Sequence, residues 1–314
     1  MRLFAVSLLL FSVILLNSCI NEDMDSCPSQ RQNNLILNFV HTDDQGNDLF
    51  MNYIHRVDLF VFDNQLHFVT KETVDQASLS AFAGIKLSLL PGTYRIICWG
   101  NAAGKTMFGG LNTGDIFNKA FLSNATLNGT SIGTDGDELY YGSTLVSDTL
   151  TQTLRITVPP TGTQTERVAF RSAHIKIEVY VKGFEDKSAT GDMLPPRIDL
   201  THIPAEYNFN MQPFGSDISY SNIAVYRTIK NEQMAVIDFC PLLFDGQTLM
   251  NVLIKRQSDN STITTVSLKD FIQKNNINLA GNTEIVIPIL VEYRSAAVSI
   301  SLPGWAQNPI GPEL

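Results

Sequence analysis

Along most of this chain apolar and polar residues alternate with a period of two, the spacing that sets one face of a strand on a core and the other in water. Residues 35–41 set Leu35, Leu37 and Phe39 against Ile36, Asn38 and Val40, and the polar run 43–48 turns the chain. Residues 55–63 place Val57, Leu59 and Val61 on one face and Asp58, Phe60 and Phe62 on the other; Asp63-Asn64 closes the strand and 66–70 returns as its hairpin partner. Segments 85–90 and 93–99 flank Pro91-Gly92, a dipeptide suited to the centre of a type II turn. From 101 to 147 Gly, Asn, Ser and Thr dominate, which predicts long loops with short ordered pieces. Residues 150–158 form a strand that Pro159-Pro160-Thr161-Gly162 ends, and a domain boundary falls there.

The second half repeats the style. Residues 168–181 alternate long enough to bend or to cross between sheets, with Ala173, Ile175, Ile177 and Val179 on one face. Further strands are predicted at 197–203, 223–227, 234–239, 249–255, 262–267, 284–291 and 297–302, and only 268–274 reads as a helix. Many short strands with Gly-, Asn- and Pro-bearing connections predict an all-β chain of two antiparallel β-sandwich domains in tandem, at 34–160 and 161–314.

The amino terminus breaks this pattern. After Met1-Arg2, Leu3 to Leu16 is an apolar run interrupted only by Ser7 and Ser12, of signal-peptide length and too short for a membrane span. Leu16-Asn17-Ser18-Cys19 resembles a bacterial lipobox, in which the cysteine is diacylated on sulfur and becomes the first residue after cleavage. Residues 1–18 are then a lipoprotein signal peptide and Cys19 the lipid attachment site. Two or three acyl chains make a lasting anchor where one does not. The tether 19–33 opens with Glu22, Asp23 and Asp25, an acidic cluster that resembles the tag sending some Gram-negative lipoproteins to the outer face of the outer membrane.

Charge and cysteine content narrow the partners. With 22 basic and 31 acidic side chains the formal charge is −9, and no Lys/Arg cluster occurs, which argues against nucleic acid. Beyond Cys19, the cysteines Cys27, Cys98 and Cys240 allow one disulfide and one thiol, or three thiols. Cys27 with Cys98 is the pair that falls in or beside the first domain. No C-x-x-C pair or close Cys/His group points to a metal, and no cofactor motif is present.

Catalytic signals are weak. Gly129-Thr130-Ser131-Ile132-Gly133 matches G-x-S-x-G, but a nucleophile elbow needs a strand before it and a helix after it, and here polar loop lies on both sides. His41, His55, His67, His174 and His202 are scattered, so the chain reads as non-enzymatic. Trp99, Tyr140, Tyr141 and Trp305 are the aromatics available for a carbohydrate platform, although single aromatics in sandwich strands usually serve the core.

Taken together, Cys19-Ile20-Asn21-Glu22-Asp23-Met24-Asp25-Ser26-Cys27-Pro28, Val57-Asp58-Leu59-Phe60-Val61-Phe62-Asp63, Leu90-Pro91-Gly92-Thr93-Tyr94, Trp99-Gly100-Asn101 and Ile300-Ser301-Leu302-Pro303-Gly304-Trp305 resemble the FimB-like fimbrial anchor lipoproteins. The resemblance implies two transthyretin-like sandwiches, lipid-held at the outer membrane, on which a fimbrial shaft is founded. It also implies assembly with shaft subunits by strand complementation, for which Ala297, Val298, Ser299, Ile300, Ser301 and Leu302 are the candidate strand. The tail 307–314, with Pro309 and Pro312, departs from a long strand donor. The competing reading is a fimbrial tip adhesin or a surface lipoprotein that binds a glycan or host-surface ligand.

Overall fold

The computed structural model describes residues 33–43, 45–127, 130–143, 155–242, 249–279, 284–295 and 297–305. The signal, Cys19 and Cys27 lie outside the described residues.

The first half supplies β1 (Leu35–Val40), β2 (Val57–Phe62), β3 (Phe68–Val74), β4 (Gly84–Leu87) and β5 (Gly92–Gly100). The loop-rich stretch then yields short pieces, β6 (Thr106–Gly109), β7 (Phe121–Asn124), β8 (Ile132–Gly133) and β9 (Tyr140–Ser143), followed by β10 (Arg155–Val158) and β11 (Gln164–Ser172). The second half contributes β12 (Ile175–Lys182), β13 (Arg197–Asn208), β14 (Pro213–Ile223), β15 (Val225–Ile229) and β16 (Glu232–Phe239). It closes with β17 (Asn251–Lys255), β18 (Thr262–Ser267), β19 (Ile285–Arg294) and β20 (Ala297–Ser301). The expected helix is present over Leu268–Asn275; Ser267 caps its first turn by accepting from the Asp270 N–H, and Asn276 ends it in the left-handed region at φ 52°.

These strands make an all-β molecule of three sheets. The first runs β3-β2-β5-β9-β11-β1-β4, with β10 also on β5. One cluster takes Leu35, Leu37 and Phe39 of β1, Leu59 and Val61 of β2, Ile96 of β5 and Phe170 of β11, so this sheet curls around its own core. The other two, β15-β16-β12-β19-β20 and β18-β17-β13-β14-β8, face each other across a second core that includes Ile177, Val179, Ile198, Leu200, Val252 and Ile289. Among the described strands most pairings are antiparallel, and three are parallel: β1 with β11, β12 with β19 and β8 with β14.

The pairing does not divide the chain at residue 160. β11, beyond that expected boundary, bonds to β1 and β9 in the first sheet. β7, before it, bonds to β13, and β8 to β14. The long alternating run at 168–181 crosses between sheets: β11 ends at Ser172, and β12 starts the second unit at Ile175. Ala173 and His174 make the step, with the His174 Nδ1 3.0 Å from the Leu139 carbonyl.

The two units are welded by a third core. All six residues of β2 are buried. Val57, Leu59 and Val61 face the first core, while Phe60 and Phe62, with Ile97 and Trp99 of β5, face Tyr207, Phe209 and Leu242 of the second unit. Asp58 shares the Phe60 face and is 1 % exposed. It accepts from Arg56 Nε at 3.0 Å and Thr73 Oγ1 at 2.7 Å, and pairs with Lys71 Nζ at 2.8 Å. Burial alone would raise its pKa, but the hydrogen bonds from Arg56, Lys71 and Thr73 hold the carboxyl below its usual range.

Candidate functional site

The chemistry weighed in the sequence resolves into structure. The Ser131 carbonyl accepts from the Ser219 N–H, and Ile132–Gly133 lies as β8 along β14, so the described part of the G-x-S-x-G segment, 130–133, is edge pairing rather than an elbow. The aromatics weighed for a carbohydrate platform take the core role that single strand aromatics usually have: Trp99, Tyr140 and Tyr141 are all inside, and Trp305 is half-buried against Tyr180. Burial here follows from packing on both faces of β5 and β9, which one strand's alternation does not reveal. Among the described residues no three His, Cys, Asp or Glu side chains gather as metal ligands.

Of the expected pair Cys27 and Cys98, Cys27 lies outside the described residues and Cys98 alone is described. Cys98 is a free thiol at 0 % exposure within the first core, on the same face of β5 as Ile96. A tether cysteine reaches that sulfur only by entering the core. Burial raises the Cys98 pKa far above that of an ordinary thiol, which keeps it inert. Cys240 is likewise free and buried.

The candidate assembly strand is where the molecule is open. β20 covers Ala297 to Ser301 and, among the described strands, pairs with β19 alone, in the register Leu290 with Ser301 through Arg294 with Ala297. It is the last described strand of its sheet, so alternate backbone N–H and C=O groups point away from β19 with no described strand to receive them. Edge strands β3, β4 and β15 carry Lys71 and Glu72, Lys86, and Arg227; β20 carries no charge, and neither does β18 at the edge of the facing sheet. Charge on an edge discourages strand addition, and β20 lacks that protection.

The ribbon ending in β20 is clamped from both sides. Ile300 and Leu302 pack half-buried on the second core, while Trp305 folds back onto the opposite face of the sheet. There its ring meets Tyr180 edge to face, centroids 5.4 Å apart, in the cluster with Met234, Val236 and Leu290. At the other end Glu292 accepts from Arg294 Nη2 at 3.1 Å and lies 3.5 Å from Lys182 Nζ. Burial would raise its pKa, yet Arg294 and Lys182 hold it below the usual carboxylate range.

An all-β scaffold of two units, fused through an aromatic core and finished by an uncharged open edge, defines a structural subunit. Residues 24–307 match the family model of the fimbrillin-A associated anchor proteins Mfa1 and Mfa2, and the chain belongs to that family. Its fold is similar to that of the fimbrial anchor protein Mfa2 from Porphyromonas gingivalis, at 15% identity and a TM-score of 0.62, covering 86% of this chain and 98% of that one. It is also similar to a candidate adhesin from Bacteroides ovatus, at 14% identity and a TM-score of 0.66, covering 87% of this chain and 95% of that one. A candidate polysaccharide-binding protein from Bacteroides thetaiotaomicron shares the fold at 13% identity and a TM-score of 0.63, covering 82% and 90% of the two chains. Among curated proteins no relative matches.

Proposed function

We propose that this chain is the membrane-held base of a fimbrium, fixed to the outer membrane by lipid on Cys19 and joined to a shaft subunit by strand addition at β20. Membership of the anchor family supports the role. The lipobox-like Leu16-Asn17-Ser18-Cys19 supports the lipid, and the acidic residues after it support display on the outer face. The observation that carries the assembly step is the uncharged free edge of β20. A strand laid there gains ladder hydrogen bonds and apolar contact together. Non-enzymatic anchoring needs no further chemistry from the chain.

The test has two readouts. Cells fed radiolabelled palmitate are expected to label the wild-type protein in the outer-membrane fraction and not the Cys19→Ala variant. Val298→Pro, which removes a backbone N–H that the register points away from β19, is expected to keep the protein in the membrane and lose co-purification with the fimbrial shaft subunit. Co-purification unchanged in a Val298→Pro protein of normal circular dichroism overturns the edge assignment. Absence of palmitate from the wild type overturns the lipid.

A further inference from the structure

We propose that a cavity beside β20 is a specificity pocket that takes an apolar side chain from an extended, acidic peptide segment. This rests on the reading of β20 as an assembly edge and adds what the incoming segment must carry.

β12, β17 and β19 end at this corner of the second unit, and β18 and β20 begin there. The open cavity between them, about 720 Å³, is lined by Phe184, Ile263 and Tyr293 with Glu185, Arg256 and Arg294 exposed around it. Its apolar wall is built rather than incidental. Phe184 and Tyr293 meet with ring centroids 5.5 Å apart at 68°, and the Tyr293 hydroxyl is tied to Thr264 Oγ1 at 2.7 Å.

The cavity continues onto the open edge. The register sets Val298 opposite Tyr293, and Ile300 two residues along packs on the core, so Val298 points to the core side of the sheet. It is nonetheless 46% exposed, a position patterned for burial without a cover. A strand added antiparallel to β20 runs toward the cavity and alternates its side chains over the same two faces, so a core-side residue beyond Val298 falls at the mouth. Arg256 and Arg294, the latter bonded to Glu292, line that mouth against Glu185, on a chain whose formal charge is −9. The sign there opposes that of the molecule, and it fits acidic residues at the leading end of the incoming strand. A free small anion would need no strand edge; continuity with β20 favours a peptide.

The experiment uses the full mature chain and a fluorescein-labelled peptide of sequence TVTVTLTDD, with a twin ending in two lysines. The acidic peptide is expected to bind about tenfold more tightly than its twin, and the Arg256→Glu/Arg294→Glu variant to reverse that preference. Replacing the peptide's leucine by alanine is expected to weaken binding about tenfold, a readout that leaves the protein unaltered. Equal affinity for the twins, unchanged preference in the reversed variant, or no binding of either peptide up to about 1 mM overturns the pocket. If the pocket fails while Val298→Pro still releases the shaft subunit, the edge reading stands without it. If the peptides discriminate while Val298→Pro releases nothing, the pocket stands and the edge reading falls.

Discussion

Phe60 of the first unit and Phe209 of the second meet edge to face, ring centroids 5.0 Å apart at 65°, and Phe209 also lies within ring contact of Phe62, Trp99, Phe108 and Phe117. One side chain from the turn between β13 and β14 therefore plugs the outer face of the first sheet. On the proposed assembly at β20, a shaft pulling on the second unit would transmit load through this core. Phe209→Ala is expected to cost about 3–5 kcal/mol and to split one cooperative unfolding transition into two in a calorimetric scan. A single transition with unchanged midpoint would show that the two units are not coupled there.

Asp58 gives the junction an acid limit. Its folded pKa lies below the unfolded value, so its stabilisation is fully present above the unfolded pKa near 3.8 and is lost as pH falls through the folded value. Asp58→Asn is expected to lower stability near neutral pH by about 2 kcal/mol and to flatten the fall of the melting temperature below pH 4. Parallel wild-type and variant curves across that range would contradict this assignment.

The core position of Cys98 has a chemical signature. Folded protein is expected to resist iodoacetamide at Cys98, and denaturant without reductant to make it react at once. Labelling of unfolded protein only after reduction would restore a disulfide.

Trp305 holds the outer side of the ribbon that ends in β20. Trp305→Ala is expected to expose Met234, Val236 and Leu290, to cost about 1–3 kcal/mol, and to speed amide exchange in β20 before any other strand of its sheet. Uniform exchange would mean that Trp305 does not clamp the edge.

How much was legible in the sequence varies with the range of the interaction. Strands whose alternation faces one core, such as β1, β12 and β17, stand out because local periodicity records a single buried face. The run in β2 and β5 shows apolar residues on both faces, yet nothing nearby names Phe209 as their cover, since that contact closes across more than a hundred residues. The full length of β13 was hidden, and β14 was missed, where register shifts fall between Leu200 and Ile203 and between Pro204 and Glu206, with His202 at φ 61° and the alternation skipping. β20 was visible as a strand, and the register supplies its place as an unpaired edge. The cavity at Tyr293 left no motif, because its walls come from β18, β19 and the turn after β12.

The central claim, that lipid on Cys19 fixes fimbriae to the cell, is tested most directly by fimbrial retention in cells carrying Cys19→Ala, with shaft antigen compared between washed cells and medium at matched abundance of the variant. Fimbriae shed into the medium, or grown long and loose, are the result this account predicts. Attached fimbriae in unchanged amount, with the variant still expressed, would contradict it.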